Sequence, residues 1–235
     1  MAASIELVFP TSWGEATCWH HHIQCHHSAC EKGAHWQYAL SWFEAILRAR
    51  LSPSVISYSA TMKACDRGSK WQQAINLFEA MLTATVEPDV FAWNVAIGAC
   101  KAGAQWQFAL SFFDALHMAS MRPTTTTYNA TMSACERHGE WHVVLNLLAE
   151  MYRVEVRCDV ASYNVAITAC RHVEQWQVAL ELFELMPKVQ LKHSSVTHNA
   201  ILSAYRKGGQ FLRKCDRCSG WRVCLCVCIC ACYKL

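Results

Sequence analysis

Residues 55–89 read VISYSATMKACDRGSKWQQAINLFEAMLTATVEPD, and this stretch decides the fold. Tyr58, Met62 and Cys65 stand at i, i+4 and i+7, an apolar stripe on a first helix. Gly68 follows as a helix terminator, and Ser69 as the N-cap of a second helix. That second helix carries Trp71, Ala74, Ile75, Phe78 and Leu82 on one face, and Pro88 closes the unit. The stretch is expected to form a hairpin of two antiparallel helices.

The hairpin does not stand alone. Trp36, Trp71, Trp106, Trp141 and Trp176 lie 35 residues apart, with Phe211 next in the series. Cys30, Cys65, Cys100, Cys135 and Cys170 keep the same period, followed by Tyr205. A fixed period of this length marks an array in which each unit buries its apolar face against its neighbours. Units are expected at 55–89, 90–124, 125–159 and 160–194, with a degenerate first repeat at 20–54 and a partial one at 195–211. Residues 1–19 are left unassigned, and the Cys-rich tail 212–235 is expected to stand outside the fold. The fold class is expected to be all-α, an α-solenoid of tandem helical hairpins. The tryptophan ladder reads as core.

Composition fits a packed array. The chain is 53% hydrophobic and 17% charged, too apolar for disorder. A net charge of +3 permits a polyanionic partner without requiring one. The longest apolar run, 223–233, is too short to cross a bilayer. The first residues lack arginine and carry Glu6 and Glu15, which makes a poor transit peptide. Of the 15 cysteines, the five in the ladder fall about a helix diameter apart, ~10 Å, beyond disulfide reach. They are expected to be small buried hydrophobes at tight helix crossings, in a reducing compartment.

The run Y-N-A/V, then a small residue with A-C/Y, K/R-x-G, A-L-x-L-F and a proline resembles the pentatricopeptide repeat in its P-type, 35-residue form. The resemblance covers 55–194 almost without gaps and reaches 28–210 in weaker form. It implies a right-handed α-solenoid, a superhelix of tandem helical hairpins, that binds single-stranded RNA along the first helices, about one base per repeat. It also implies a role in organellar RNA processing or stability, in chloroplast or mitochondrion, alongside other RNA-processing proteins.

Carried over residue by residue, the base-reading pairs are Ser59 with Asp89, Asn94 with Thr124, Asn129 with Asp159, and Asn164 with Ser194; Asn199 opens a fifth. An asparagine amide both donates and accepts, so it can face a pyrimidine edge while a nearby carboxylate or hydroxyl orients it. Ser with Asp resembles a reader of G, Asn with Asp a reader of U, and Asn with Ser or Thr a reader of C or U. The implied target runs G, pyrimidine, U, C. Ile56, Phe91 and Val196 are the base-clamping residues, with Thr126 and Ala161 as weaker clamps in the same phase.

Each ladder has a second reading. Ser54, Asp89, Thr124, Asp159 and Ser194 are N-cap residue types where a first helix begins, and capping alone accounts for them. The asparagines could serve only to bond adjacent repeats. Lys32, Arg67, Lys101, Arg137, Arg171 and Lys207 can contact phosphates or complement helix C-termini.

Two stretches break the pattern. Residues 20–27 (HHHIQCHH) stand where a first helix belongs, and a metal site is the obvious reading. Their codons read one base later can spell I-I-T-Y-N-A-I, the missing helix, so a frame error accounts for the run better. In the tail, Cys215 and Cys218 make a lone C-x-x-C, half of a zinc site. No metal, cofactor, membrane or small-molecule substrate is expected. Nor is the chain expected to be an enzyme: it lacks a phosphate-binding glycine loop, a deaminase H-x-E with paired cysteines and an acidic cluster for nuclease metals. The alternatives to RNA binding are a protein–protein scaffold of tetratricopeptide type, or an inactive truncated product. A scaffold would line its groove with Lys and Arg; here the groove residues are Asn, Ser, Thr and Asp.

Overall fold

The computed structural model describes residues 36–172 and 175–207. Residues 20–27, Lys32, Cys30, Phe211 and the tail lie outside the described residues. Ten helices follow one another without a strand among the described residues. They are α1 (Trp36–Arg48), α2 (Val55–Arg67), α3 (Trp71–Thr83), α4 (Val90–Ala102) and α5 (Trp106–Met118), then α6 (Thr125–Glu136), α7 (Trp141–Arg153), α8 (Val160–His172), α9 (Trp176–Lys188) and α10 (Ser195–Lys207). Even-numbered helices are the first helices of the hairpins, and every odd-numbered one starts at a tryptophan of the ladder. The architecture is that of tandem helical hairpins.

The chain divides into two compact units, Met1–Gly103 and Ala104–Leu235. In the first, α2 packs on α1, α3 and α4, and α3 on α4. In the second, α8 packs on α6, α7, α9 and α10, with α6 against α5 and α7 and α9 against α10. A first helix is thus covered on several sides, whereas a second helix buries one stripe. α2 buries Ser57, Tyr58, Ser59, Thr61, Met62, Ala64 and Cys65; α3 buries only Ala74, Ile75, Phe78 and Met81. The predicted stripe Tyr58–Met62–Cys65 is therefore part of a nearly continuous buried surface. The expected Leu82 is exposed, and Met81 takes its place in the core, because the last turn of α3 rotates i+3 rather than i+4 toward α4.

A recurring aromatic contact ties a second helix to the next first helix in four places, while α7 carries Leu148 at that position. Phe43 meets Tyr58 edge-on at 4.8 Å, Phe78 meets Trp93 at 4.7 Å, and Phe113 meets Tyr128 at 5.0 Å. At the end of the second unit His198 stands in the tyrosine's place, and Phe183 meets it at 5.5 Å. The cysteines behave as expected: Cys65, Cys100, Cys135 and Cys170 are free, fully buried thiols. Burial pushes Cys65, Cys135 and Cys170 up to about 11 and Cys100 to about 12.

The turns correct the sequence expectation. Gly68 does end α2, but at φ −77 it stays in ordinary right-handed space. The left-handed residue is Ser69 at φ 57, so it cannot be the N-cap of α3; that position falls to Lys70, whose side chain makes no cap. The Ser69 turn is closed by the Lys70 N–H donating to the Cys65 carbonyl at 2.9 Å. Gly68 is required for another reason. A Cβ there would lie 2.3 Å from Trp36 Cδ1, and one at Gly103 would lie 2.3 Å from Trp71 Cδ2. The ladder tryptophans are half-buried, a shallower place than the core reading gave them, and Trp36 and Trp71 lie as plates against the next hairpin's glycine. In 125–159 the glycine moves one place on. Gly139 takes the left-handed position at φ 77, and His138 fills the other, its Nε2 bonded to the Ala104 carbonyl.

Second helices end in the same way. Arg50, Thr85, Ser120, Glu155 and Gln190 all have φ between 54 and 62. After each, an N–H reaches back to close the turn, as Val86 does to the Met81 carbonyl at 3.2 Å. Termination is therefore set by Thr85 in 55–89, and Pro88 only straightens the approach to the next N-cap.

Candidate nucleic-acid interface

The site is built at the start of each first helix. N-cap side chains accept backbone N–H groups as the capping reading expects: Ser54 from Ser57, Asp89 from Ala92 at 2.7 Å, Thr124 from Thr127, Asp159 from Ser162 at 2.8 Å, and Ser194 from Thr197 at 3.2 Å. At Asp159 and Ser194 capping does not exhaust their chemistry, because the asparagine of the preceding first helix reaches the same side chain.

Asn129 on α6 donates from Nδ2 to Asp159 Oδ1 at 3.1 Å. The Ser162 hydroxyl, one turn into α8, donates to Asn129 Oδ1 at 2.7 Å. Asn164 repeats the arrangement, with Nδ2 donating to Ser194 Oγ at 3.4 Å and the Thr197 hydroxyl donating to Asn164 Oδ1 at 2.6 Å. Two of the sequence-derived pairs are thus brought into hydrogen-bond contact. Each amide keeps one N–H and one lone pair uncommitted by these bonds, a donor–acceptor edge of the kind that pairs with a nucleobase. Burial works against the Asp159 carboxylate, but the Ser162 N–H, the Asn129 amide and the Ser162 hydroxyl hold it below the usual range.

Ser59 sits differently. It is 3% exposed, and its hydroxyl donates to its own helix at the Val55 carbonyl, 2.8 Å away. Position 92, where Ser162 and Thr197 have their counterparts, is alanine. Asn94 is half-buried on α4, and Asn199 is exposed on α10. The clamp ladder lies open: Ile56, Phe91 and Val196 are 55%, 52% and 59% exposed, and Thr126 and Ala161 are exposed in the same phase. In the first unit Ile56 and Phe91 hold one register of two successive first helices, and apolar side chains left in solvent in this way can stack on bases.

Of the cationic ladder, Arg67 and Arg137 are exposed at helix ends, and Lys101 is half-buried. Arg171 is half-buried as well, with Nη1 donating to Ser203 Oγ at 3.4 Å. Lys32 and the side chain of Lys207 lie outside the described residues. No group of three metal-binding side chains occurs among the described residues, and no described helix is long and apolar enough to cross a membrane.

Sequence reasoning missed Ser162 and Thr197. Their signal was available in a hydroxyl ladder, Ser57, Thr127, Ser162 and Thr197, interrupted only by Ala92.

Tandem helical hairpins, two of them with an amide–cap contact on the first helix, define a helical repeat protein. The family comparison names the class more closely: the pentatricopeptide repeat domain matches residues 76–137 and 146–207, and a single PPR repeat matches 126–155. The chain belongs to the pentatricopeptide repeat family. No curated protein matches it.

Solved structures agree on the fold. The chain is similar to the PPR domain of protein-only RNase P 1 (PRORP1) of Arabidopsis thaliana in complex with tRNA, at TM-score 0.68 and 14% identity, covering 78% of this chain and 97% of that one. It is similar to PPR10 in complex with an 18-nt psaJ RNA element, at TM-score 0.63 and 16% identity, covering 73% of this chain. PPR10 from maize gives TM-score 0.57 at 21% identity over 84% of this chain. The chain spans about a quarter of the length of PPR10.

Proposed function

We propose that this chain binds single-stranded RNA sequence-selectively, without catalysis of its own, and serves RNA processing or stability in chloroplast or mitochondrion with other RNA-processing proteins. The observation that carries the reading is the joining of Asn129 to Asp159 and of Asn164 to Ser194, which leaves a free amide edge in each slot. Family membership and the RNA-bound relatives support it.

Bases enter in the order of the hairpins. Ser59 with Asp89 takes a purine, G in preference. Being buried and turned onto its own helix, Ser59 acts there by leaving room for the larger ring. Asn94 with Thr124 takes a pyrimidine, Asn129 with Asp159 takes U, Asn164 with Ser194 takes C, and Asn199 reaches a further pyrimidine. Ile56, Phe91 and Val196 press on the base faces, with Thr126 and Ala161 supplying less area. Lys32, Arg67, Lys101, Arg137, Arg171 and Lys207 contact phosphates, which makes affinity fall with salt.

Fluorescence polarisation of the whole chain against a short RNA carrying G-C-U-C, and against the same bases scrambled, tests this across a salt series. The expected result is preference for the ordered RNA, diminished by Asn129→Thr. Equal, salt-sensitive binding to both would leave a generic electrostatic groove. Absence of binding at low salt would overturn the reading in favour of a peptide scaffold.

A further inference from the structure

We propose that Ser162 and Thr197, the third residues of α8 and α10, are specificity-positioning residues: each fixes the amide orientation of the asparagine in the preceding hairpin and so decides which edge that asparagine offers a base. The inference rests on the RNA-binding reading above and extends it to residues outside the base-reading pairs.

The direction of the protons carries the argument. Ser162 Oγ accepts the Asp159 N–H at 3.3 Å, so its single proton points elsewhere. Two acceptors are near, Asn129 Oδ1 at 2.7 Å and Asp159 Oδ1 at 2.9 Å. Asp159 Oδ1 already receives the Ser162 N–H at 2.8 Å and the Asn129 amide at 3.1 Å. Asn129 Oδ1 is the closer and less loaded acceptor, so the hydroxyl proton goes to it. The amide oxygen is thereby held toward Ser162 and the amide nitrogen toward Asp159. Flipping Asn129 would set a donor against a proton and an oxygen against a carboxylate.

The second slot closes into a ring. Asn164 Nδ2 donates to Ser194 Oγ, Ser194 Oγ lies 2.9 Å from Thr197 Oγ1, and Thr197 Oγ1 donates to Asn164 Oδ1 at 2.6 Å. Ser194 Oγ also accepts the Thr197 N–H at 3.2 Å and Thr197 Oγ1 the Ser194 N–H at 3.1 Å, so each hydroxyl has its one proton left for the ring. With the Thr197 proton on Asn164 Oδ1, the amide oxygen is turned toward Thr197 and the nitrogen toward Ser194, the same arrangement as in the first slot.

The sequence keeps the same correlation. Asn94, Asn129 and Asn164 are each followed 33 residues later by a hydroxyl, Thr127, Ser162 and Thr197, whereas Ser59 is followed by Ala92. A serine has no amide to orient, and there the hydroxyl is missing.

The test uses the whole chain with Ser162→Ala and Ser162→Thr. Two readouts are taken: the ratio of affinities for RNAs carrying U or C opposite Asn129, and hydrogen exchange of the Asn129 side-chain amide in the free protein. Wild type is expected to prefer U and to show a protected amide. Ser162→Ala should cut the U:C ratio by about five- to tenfold, in line with loss of one buried hydrogen bond, and expose the amide; Ser162→Thr should restore both. A merely structural role would lower the melting temperature while leaving the ratio and the amide exchange unchanged, and that outcome overturns the inference. If wild type binds RNA with no base preference at this slot, the RNA-reading proposal fails and takes the inference with it, whatever the amide shows. Should Ser162→Ala fail to fold, Thr197→Ser against Thr197→Val at the Asn164 slot makes the same comparison; an unchanged ratio there also overturns it.

Discussion

The indole of Trp71 occupies the space that any side chain at Gly103 would need. Three of its ring atoms lie 2.3 to 2.6 Å from where a Cβ would stand. Gly103 has φ −83, so alanine would be favoured there by backbone entropy alone, by about 0.4–1 kcal/mol. The contact decides the sign against alanine, because the crowded atoms are Cγ, Cδ2 and Cε2, close to the root of a large ring rather than a movable tip.

Gly103→Ala is therefore expected to destabilise the chain by about 1–3 kcal/mol, the range for forcing atoms into a filled space. Chemical denaturation measures it. Combining the change with Trp71→Leu should recover part of the loss, and an additive double variant would refute the contact as its cause.

Thr85 holds φ 55 after α3, a left-handed conformation that is poor for a β-branched residue. Thr85→Gly is expected to raise stability by about 1 kcal/mol, since relief of strain of about 1–2 kcal/mol exceeds the added chain entropy. Gly139→Ala, at φ 77, should lower stability by a similar amount. Thermal melts of the two variants should move in opposite directions.

The four ladder thiols should resist alkylation in the native protein. Their thiolates are scarce near neutral pH, with values pushed to about 11 or 12, and their sulfurs are buried. Cys158 is only half-buried, and although burial raises it too, a reagent can reach it. Peptide mapping after brief iodoacetamide treatment should find Cys158 labelled before Cys65, Cys100, Cys135 and Cys170. Prompt labelling of the ladder would mean that the hairpins open readily.

Asp159 makes the stability of the chain depend on pH. Its folded carboxyl lies below the ordinary value, so its contribution is complete above about pH 4 and is lost as pH falls through the lower folded value. Asp159→Ala should cost about 1 kcal/mol at pH 7, as for other N-caps. The gap between wild type and variant should narrow in acid. A gap independent of pH would show that the carboxylate's charge contributes nothing.

Much of the fold was legible because a repeat states its register many times over. The spacing of Trp36, Trp71 and Trp106 fixes where second helices start, and α1, α3 and α5 begin at those residues. The turns were less legible. Gly68 looks like a helix stop in sequence, and only the distance to Trp36 shows that it is a space for an indole; Ser69 carries the left-handed turn that glycine seemed made for. Leu82 and Met81 are equally apolar neighbours, and nothing local tells which one turns inward. At the interface, Asn129 and Asp159 could be paired by family register, but Ser162 could not, since a serine one turn into a helix looks like half of a capping box. Its third partner lies 33 residues away, beyond any local pattern.

That third partner changes where the chain can be divided. The ring Asn129–Asp159–Ser162 draws on two hairpins, and a cut at 159/160, the natural seam by sequence period, separates Asn129 and Asp159 from the hydroxyl that orients the amide. A module exchanged at that seam would arrive with its own third residue and alter the slot upstream of itself. The interchangeable cassette in this chain therefore ends after Ser162 or Thr197, three residues into the next helix, and grafts joined there should carry their slot whole.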